Sequence, residues 1–218
     1  MTISENVKRI LDEIDGRAVL VAATKMNDVC RVREAIGAGI QFCGENRVQE
    51  LVEKNAQNAY DGAHLHFIGH LQKNKVNKVV GTCELIQSID TSELLSAVAK
   101  EAQKKGITQD VLLEINIGAE ESKSGFSPAD VYNALEAVPE GVYVKGLMCI
   151  PPICRNSNDN RPFFDQMAEL FVDIDSKKYD NVSMGFLSMG MSNDYLTAIE
   201  CGSNMVRVGT GIFGPRNY

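Results

Sequence analysis

The first residue of chemical interest is Lys25, which ends an apolar, β-prone run that starts at Val19. The helix-start residues Asn27 and Asp28 follow directly, so the pattern predicts a strand and then a helix, as in a parallel sheet buried on both faces. A lysine at the carboxyl end of such a strand lies against an apolar wall and faces an open cleft. This setting lowers the pKa of an amine and suits it to forming a Schiff base with an aldehyde. Taken alone, Lys25 is better explained as a lysine that ends a strand and extends into water than as a reactive amine.

A second group of useful residues lies near the end of the chain. Ser192 stands at a predicted helix start, and Gly209, Thr210 and Gly211 offer bare backbone N–H groups and a hydroxyl. Helix starts and glycine-rich turns of this kind bind phosphate in the last loops of α/β barrels. The same stretch also fits an ordinary glycine-rich turn. Together with Lys25 it describes a site for an aldehyde that carries a phosphate, and pyridoxal 5′-phosphate is one such molecule.

Arg207 acquires a role if the aldehyde is pyridoxal phosphate. A permanently charged arginine opposite the pyridine nitrogen keeps that nitrogen unprotonated. Less electron density then drains into the ring, which disfavours the carbanion chemistry of transaminases.

The scaffold that positions these residues is predicted from the hydrophobic pattern. An amphipathic helix covers residues 3–14, and strands then alternate with helices to the end of the chain. The predicted strands are 19–25, 40–43, 65–68, 84–87, 111–116, 142–149, 182–186 and 205–208. Helices are predicted near 28–37, from about 45, at 74–80, from about 90, from 127, over 163–174 and from about 192.

The closure of this alternation decides the fold class. An open doubly wound sheet and an eight-fold barrel both fit the pattern. The count of eight strands favours the barrel, as does the absence of a G-x-G-x-x-G motif in the first strand–helix turn. With no linker or composition break, we expect residues 1–218 to form a single (β/α)8 TIM-type barrel with an additional N-terminal helix.

The composition argues against some classes of binding partner and indicates the cellular compartment. The net charge is −7 and no long basic block occurs, which argues against nucleic acid and anionic membranes. The six cysteines form no C-x-x-C pair and are predicted to be small buried thiols in a reducing compartment. The N-terminus lacks a secretory apolar region, and no apolar run reaches membrane-spanning length. We expect a cytoplasmic protein.

Several motifs resemble those of the pyridoxal-phosphate homeostasis protein family, whose barrel is similar to the N-terminal domain of alanine racemases. They follow one another in order along nearly the whole chain. The matching stretches are 22–25 (AATK), 42–46 (FCGEN), 66–75 (HFIGHLQKNK), 114–118 (EINIG), 122–125 (SKSG), 146–148 (GLM), 187–192 (LSMGMS) and 205–214 (MVRVGTGIFG).

The resemblance implies a role for each site residue. Lys25 would carry pyridoxal 5′-phosphate as a Schiff base, and Arg207 would face the ring nitrogen. The phosphate would be held by Ser192, Gly209 and Thr210. The rest of the pocket would be lined by Asn46 and Ser188. Departures from the family pattern are mild: Thr24 stands where a serine is common, and Met26 follows the lysine.

The resemblance also bears on turnover. Alanine racemases use a second base, a tyrosine from a C-terminal domain of the partner subunit, whereas this chain ends at Tyr218 soon after the eighth strand. Two-base racemisation needs a proton donor or acceptor on each face of the substrate. We therefore expect a monomeric carrier with little or no turnover, which controls free pyridoxal phosphate and supplies it to apo-enzymes that depend on it.

Three alternatives to this function remain open. The same site could serve a weak amino-acid racemase or another enzyme that depends on pyridoxal phosphate. The same lysine and the same phosphate cradle could instead serve a Schiff-base lyase that acts on sugar phosphates without a cofactor. A pure interaction module is the third alternative, although the sequence shows no exposed apolar stripe.

Three other groups of residues admit a chemical interpretation, and a structural one is preferred for each. Three histidines have metal-ligand spacing but lack further ligands from later strands. A lysine-rich helix could bind anions, yet a solvated face explains it, and two cysteines without a C-x-x-C turn fit packing. These groups are His64, His66 and His70; Lys73, Lys75 and Lys78; and Cys149 and Cys154.

Overall fold

Eight parallel strands form the centre of the protein, in a computed structural model that describes residues 1–120, 123–152 and 157–215. They close into a barrel in chain order, because β8 pairs back onto β1 with Val206 opposite Leu20. The predicted (β/α)8 barrel is therefore confirmed. The strands are β1 Val19–Ala23, β2 Phe42–Glu45, β3 His64–Phe67, β4 Leu85–Ile89, β5 Gln109–Ile115, β6 Val142–Cys149, β7 Val182–Ser188 and β8 Met205–Val208.

Helices surround this barrel and alternate with its strands. They are α1 Ile3–Ile14, α2 Val29–Gly37, α3 Val48–Asn55, α4 Val76–Val79, α5 Ser92–Lys105, α6 Val131–Glu136, α7 Arg161–Ser176, α8 Tyr195–Glu200 and α9 Thr210–Phe213. Short 3-10 turns at Lys73–Lys75 and Ser157–Asn160 precede α4 and α7. In the described part of the chain, no helix is long and apolar enough to cross a membrane.

The additional N-terminal helix is confirmed, and its position has a physical reason. Thr2 and Glu5 begin α1 with a reciprocal capping box. The helix packs against α2 and α9, and Asn6 Nδ2 donates to the Ile212 carbonyl at 2.9 Å. Because β8 is followed by a helix of only four residues, α1 covers the part of the barrel wall that α9 is too short to cover.

Strand residues divide into two buried sets. Alternate residues face outwards into the layer of helices, and the others fill the barrel interior. The apolar interior residues are Val21, Ile68, Leu85, Leu112, Met148 and Met205. Polar Gln87, Glu114, Ser188 and Arg207 have the same inward parity, so the barrel interior carries polar groups on one side of an apolar layer.

The boundary between β2 and α3 differs from the prediction. Strand β2 starts at Phe42, two residues later than expected, and Glu45 is its buried last residue rather than the start of a helix. Helix α3 begins only at Val48, and its apolar residue Val52 is 41% exposed. The buried phase of α3 instead includes Lys54, because this lysine forms an ion pair with Glu45.

Two predicted helix starts also differ. The N-cap of α5 is Thr91, whose hydroxyl accepts from Leu94 N at 3.1 Å, while Asp90 is buried and contacts His70. Ser127 Oγ accepts from Asp130 N at 3.0 Å as expected, but the residues between them form a turn before α6. Helix α5 begins one residue later than predicted because Thr91 supplies its N-cap, and at α6 the bond between Ser127 and Asp130 closes a turn that competes with the first helical turn.

The cysteines within the described residues are free thiols. Four are buried, as predicted, but Cys30 is exposed, so the prediction is wrong for this residue. Burial raises the pKa of Cys43 and of Cys149 to about 12, so both remain protonated at neutral pH. Cys154 lies outside the described residues, and the packing interpretation of the Cys149–Cys154 pair stays a prediction.

Candidate cofactor-binding site

Lys25 lies at the carboxyl-terminal mouth of the barrel, two residues after the end of β1. Its side chain is partly buried and lines a cavity of about 410 Å³ together with Arg31, Gly209 and Thr210. Among the described lining residues, Lys25 and Arg31 carry charge, and both charges are positive. The cavity therefore favours an anion.

Arg31 was not predicted as a site residue. Its Nε donates to Asn27 Oδ1 at 2.9 Å, and its Nη2 donates to the Phe213 carbonyl. These bonds connect the turn that carries Lys25 to helix α9, which forms the opposite wall. The available signal in the sequence was its place in the first turn of the helix that follows Lys25.

The loop after β8 supplies Gly209 and Thr210 to this cavity, and the loop after β7 contacts it through Ser192. Gly209 N and Gly211 N donate to Ser192 Oγ at 3.2 and 3.1 Å. The prediction that Ser192 caps a helix is wrong, because α8 begins at Tyr195 and has Asp194 at its N-cap. The hydroxyl of Ser192 instead accepts from the backbone N–H groups that were predicted to hold a phosphate. The three residues predicted to bind the phosphate, Ser192, Gly209 and Thr210, therefore lie side by side.

Arg207 lies inside the barrel beneath the mouth and is only 4% exposed. Its Nη1 donates to the Ser188 carbonyl at 2.9 Å and to Ser188 Oγ at 2.6 Å, and its Nη2 donates to the Cys149 carbonyl at 2.8 Å. Burial lowers the pKa of Arg207, although a guanidinium stays protonated in proteins. A fixed positive charge is thus held at the end of β8.

Ser188 lies behind Arg207 and is fully buried. Its hydroxyl accepts from Arg207 and donates to Gln87 Oε1 at 2.7 Å. The Nε2 of Gln87 contacts His66 Nδ1 at 3.0 Å, and burial, helped by the nearby His64, lowers the pKa of His66 to about 4. Ser188 was predicted to line the pocket, but in this arrangement it would act on a ligand by orienting Arg207.

Asn46 lines a second cavity of about 310 Å³ at the same mouth, with Gly69, His70 and Glu114. Its Oδ1 is buried and has no hydrogen-bond partner within the described residues, so it can accept from a ligand. A Cβ on Gly69 would come within 2.2 Å of the Asn46 carbonyl oxygen. The glycine therefore allows the segment after β3 to approach the backbone of Asn46 closely.

Glu114 has an unusual titration for a carboxyl group. Burial, with a smaller contribution from the negative charge of Asp90, raises its pKa from 4.5 to about 7, although the charge of Arg207 acts in the opposite direction. Between these two pH values, Glu114 keeps its proton in the folded protein, whereas it has lost the proton in the unfolded chain. Ionisation of Glu114 therefore lowers stability as pH rises from about 4.5 to about 7.

We expect Glu114→Gln to remove this component of the pH dependence. The free energy of unfolding of the variant relative to the unsubstituted protein should increase by about 2 kcal/mol between pH 5 and pH 8. Urea unfolding at pH 5, 6, 7 and 8 measures it. Glu34→Gln on the exposed surface of α2 is the matched control for loss of one charge, and equal pH profiles for both variants would contradict the prediction.

The three histidines with metal-ligand spacing each contact a different partner. His64 Nδ1 lies 2.7 Å from Glu84, His66 contacts Gln87, and His70 Nδ1 lies 3.1 Å from Asp90. In the part of the chain that the structure describes, no group of three or more His, Cys, Asp or Glu side chains could hold a metal ion. Of the lysines near α4, Lys73 and Lys78 are exposed and Lys75 is half-buried.

Fold and site together define a class of protein: a (β/α)8 barrel with a lysine after β1, a glycine-rich turn after β8 that contacts Ser192, and an inward arginine on β8. The family model for the N-terminal domain of alanine racemase matches residues 1–217. A pyridoxal phosphate homeostasis protein of Aquifex aeolicus is 40% identical over 230 residues and covers 100% of both chains. One from Haemophilus influenzae is 37% identical, covering 91% of this chain and 85% of its own. The chain therefore belongs to the pyridoxal phosphate homeostasis protein family, which has the alanine racemase N-terminal fold.

Solved structures agree with this assignment. PipY of Synechococcus elongatus, solved with pyridoxal phosphate bound, is 28% identical and superposes with a TM-score of 0.87, covering 98% of this chain and 100% of PipY. A protein from Bifidobacterium adolescentis is 34% identical with a TM-score of 0.91, covering 97% of this chain and 94% of its own. The alanine racemase of Clostridium difficile, at 12% identity and a TM-score of 0.72, shares the fold; 98% of this chain and 58% of the racemase are covered.

Proposed function

We propose that this protein binds pyridoxal 5′-phosphate, forms a Schiff base with it through Lys25, and acts in the homeostasis of this vitamin B6 cofactor. The observation that carries the proposal is the cavity that Lys25 lines together with Gly209 and Thr210, whose loop is bonded to Ser192 through Gly209 N. An amine and an anion cradle on opposite walls of one cavity are what a phosphorylated aldehyde requires. The names of the relatives and the ligand of PipY support the same cofactor.

The residues present fit the cofactor. The phosphate would lie against Gly209, Thr210 and Ser192, whose hydroxyl accepts two N–H groups and keeps its own proton to donate. The unpartnered Oδ1 of Asn46 offers an acceptor at the same mouth. Arg207 would meet the ring nitrogen as a fixed donor. These assignments are part of the proposal.

Each side chain has a defined task in this proposal. Arg31 and Lys25 would attract the phosphate dianion, and the cradle would fix its orientation. Ser188 would hold Arg207 in place, so that a positive charge opposes protonation of the pyridine nitrogen. When bound, the cofactor supplies an electrophilic carbonyl and an electron-accepting ring. A site that restrains this ring suits a carrier with little or no turnover.

The finer parts of the proposal concern the state and surroundings of the protein. We propose that residues 1–218 form one domain that acts as a cytoplasmic monomer and supplies the cofactor to apo-enzymes. The buried, protonated thiols of Cys43 and Cys149 are compatible with a reducing compartment.

Borohydride trapping tests the attachment. After addition of pyridoxal phosphate and reduction, mass mapping should place one pyridoxyl group per chain on Lys25, with the visible absorption of the bound cofactor lost on reduction. Pyridoxine 5′-phosphate, an alcohol, is the control and should add no mass. Equal labelling of exposed Lys73 and Lys78 would indicate non-specific modification, and a protein that stays colourless would leave the sugar-phosphate lyase as the better function.

A further inference from the structure

A buried polar cluster lies directly behind Lys25, and we call it the Glu45 cluster: Glu45, Lys54, Glu50, Tyr60 and Thr24. Glu45 is fully buried at the end of β2. Its Oε1 accepts from Lys54 Nζ at 2.6 Å, from Thr24 Oγ1 at 2.6 Å and from Tyr60 OH at 3.0 Å. Burial and this neighbouring carboxylate raise the pKa of Tyr60, so its hydroxyl remains a donor.

The Glu45 cluster binds the backbone on both sides of Lys25. Lys54 Nζ donates to the Thr24 carbonyl at 2.8 Å, and Glu50 Oε2 accepts from Met26 N at 2.7 Å. Lys54 Nζ also lies 3.2 Å from Glu50 Oε2, which joins the two contacts. The peptide units that flank Lys25 are therefore fixed through α3.

Met26 shows why such a restraint is needed. Its φ is 61°, in the left-handed region that a residue other than glycine seldom adopts. A strained conformation of this kind persists only where surrounding contacts over-determine it, and it is found most often at functional sites. Here the contact is the bond from Met26 N to Glu50, and the strained residue is the one that follows Lys25.

Stability alone accounts poorly for the Glu45 cluster. A buried ion pair contributes little net stability relative to apolar residues of the same volume, because desolvation offsets the attraction between its charges. Lys54 and Glu50, however, also bond the residues before and after Lys25. They therefore restrict the backbone conformation at Lys25, whose amine must reach the carbonyl carbon of the aldehyde. Displacement of such a group by about 1 Å lowers a rate by about 100-fold.

We propose that Lys54 and Glu50 are positioning residues, which hold the Lys25 turn so that the amine reacts with the cofactor aldehyde. This inference rests on the proposed function, since it concerns attachment at the same lysine. The cluster does not contact the cradle formed by Ser192 and Gly209 within the described residues. It should therefore control the rate of attachment and not the affinity for a phosphorylated pyridine that cannot react.

Two measurements separate these effects. The rate constant for attachment of pyridoxal phosphate is measured by stopped-flow absorbance. The affinity for pyridoxine 5′-phosphate, which lacks the aldehyde, is measured by calorimetry. The variants are Glu50→Ala, which removes the acceptor of Met26 N, Glu50→Gln, which keeps an acceptor without the charge, and Lys54→Met. Glu53→Ala, on the exposed surface of the same helix, is the control.

We expect Glu50→Ala and Lys54→Met to slow attachment by about 10-fold or more, with the affinity for pyridoxine 5′-phosphate changed by less than about 2-fold. Glu50→Gln should recover most of the rate, and Glu53→Ala should match the unsubstituted protein. If Lys54→Met does not fold, the Glu50 pair carries the test, because Glu50 is only half-buried.

Other outcomes overturn the inference in distinguishable ways. An unchanged attachment rate in Glu50→Ala would mean that the cluster does not position Lys25. A parallel loss of attachment rate and of affinity for pyridoxine 5′-phosphate would show general damage to the mouth instead. Failure of the unsubstituted protein to attach the aldehyde at all would refute the proposed function itself, and the inference with it.

Discussion

Lys25→Ala should abolish covalent retention of pyridoxal phosphate, because no amine would remain at the end of β1 to attack the aldehyde. The cradle at Gly209 and Ser192, and the charge of Arg31, would still bind the phosphate weakly. We expect apparent affinity to fall by about 100-fold or more, since a reversible covalent bond is lost together with one positive charge. Gel filtration of the loaded protein, followed by absorbance of the cofactor, measures retention.

Lys25→Arg separates the charge from the chemistry. An arginine keeps the positive charge of the cavity but cannot form the Schiff base at neutral pH. We expect it to bind pyridoxine 5′-phosphate more tightly than Lys25→Ala does, and to show no attachment after borohydride. Both variants should fold, since Lys25 lies in a turn and is only partly buried. Stoichiometric labelling of Lys25→Ala after reduction would place the attachment on another amine.

The barrel and the approximate position of Lys25 were predictable because both depend on local pattern. Strands β6 and β8 were predicted with their observed bounds, since each is a mostly apolar segment. Once eight strands alternate with helices, their carboxyl ends meet at one mouth, which brings Lys25 and Gly209 together without knowledge of any contact.

The parts of the site that the sequence did not reveal depend on contacts between loops or on burial of charge. Ser192 was predicted to cap its own helix, whereas its hydroxyl accepts from Gly209 N and Gly211 N of the next loop. Helix α9, with four residues, is too short for hydrophobic periodicity to detect.

The Glu45 cluster was missed for a related reason. A helix was predicted from about residue 45 and Lys54 was not considered, although it continues the inward spacing of Val48 and Leu51. The ion pair between Lys54 and Glu45, together with the hydrogen bonds from Thr24 and Tyr60 to Glu45, compensates the burial of both charges. A lysine at an inward position, nine residues after an acidic residue that ends a strand, was the available signal.

Arg207→Gln should have the second large effect, because the positive charge of Arg207 inside the barrel is proposed to face the ring nitrogen. Loss of one charged hydrogen bond costs about 2 kcal/mol, which corresponds to roughly 30-fold weaker retention of the cofactor. The absorption spectrum of the bound cofactor should also change its dependence on pH, since the pyridine nitrogen could then be protonated. Spectra recorded from pH 5 to pH 9 measure this change.

The same substitution has a consequence for the protein without cofactor. The positive charge of Arg207 lowers the pKa of Glu114, so its removal should move that pKa further above about 7. The loss of stability that accompanies ionisation of Glu114 would then extend to higher pH. In Arg207→Gln/Glu114→Gln this pH dependence should disappear.

Arg207→Lys is the matched control, because it keeps the charge and loses the planar fork that donates to Ser188 and to the Cys149 carbonyl. It should leave the titration of Glu114 closer to that of the unsubstituted protein, while cofactor retention still falls. A charge effect on the ring nitrogen is therefore separated from a loss of geometry by comparing Gln with Lys at position 207. If Arg207→Gln changes neither the spectrum nor retention, Arg207 does not face the ring nitrogen, and its hydrogen bonds serve only to join β6, β7 and β8.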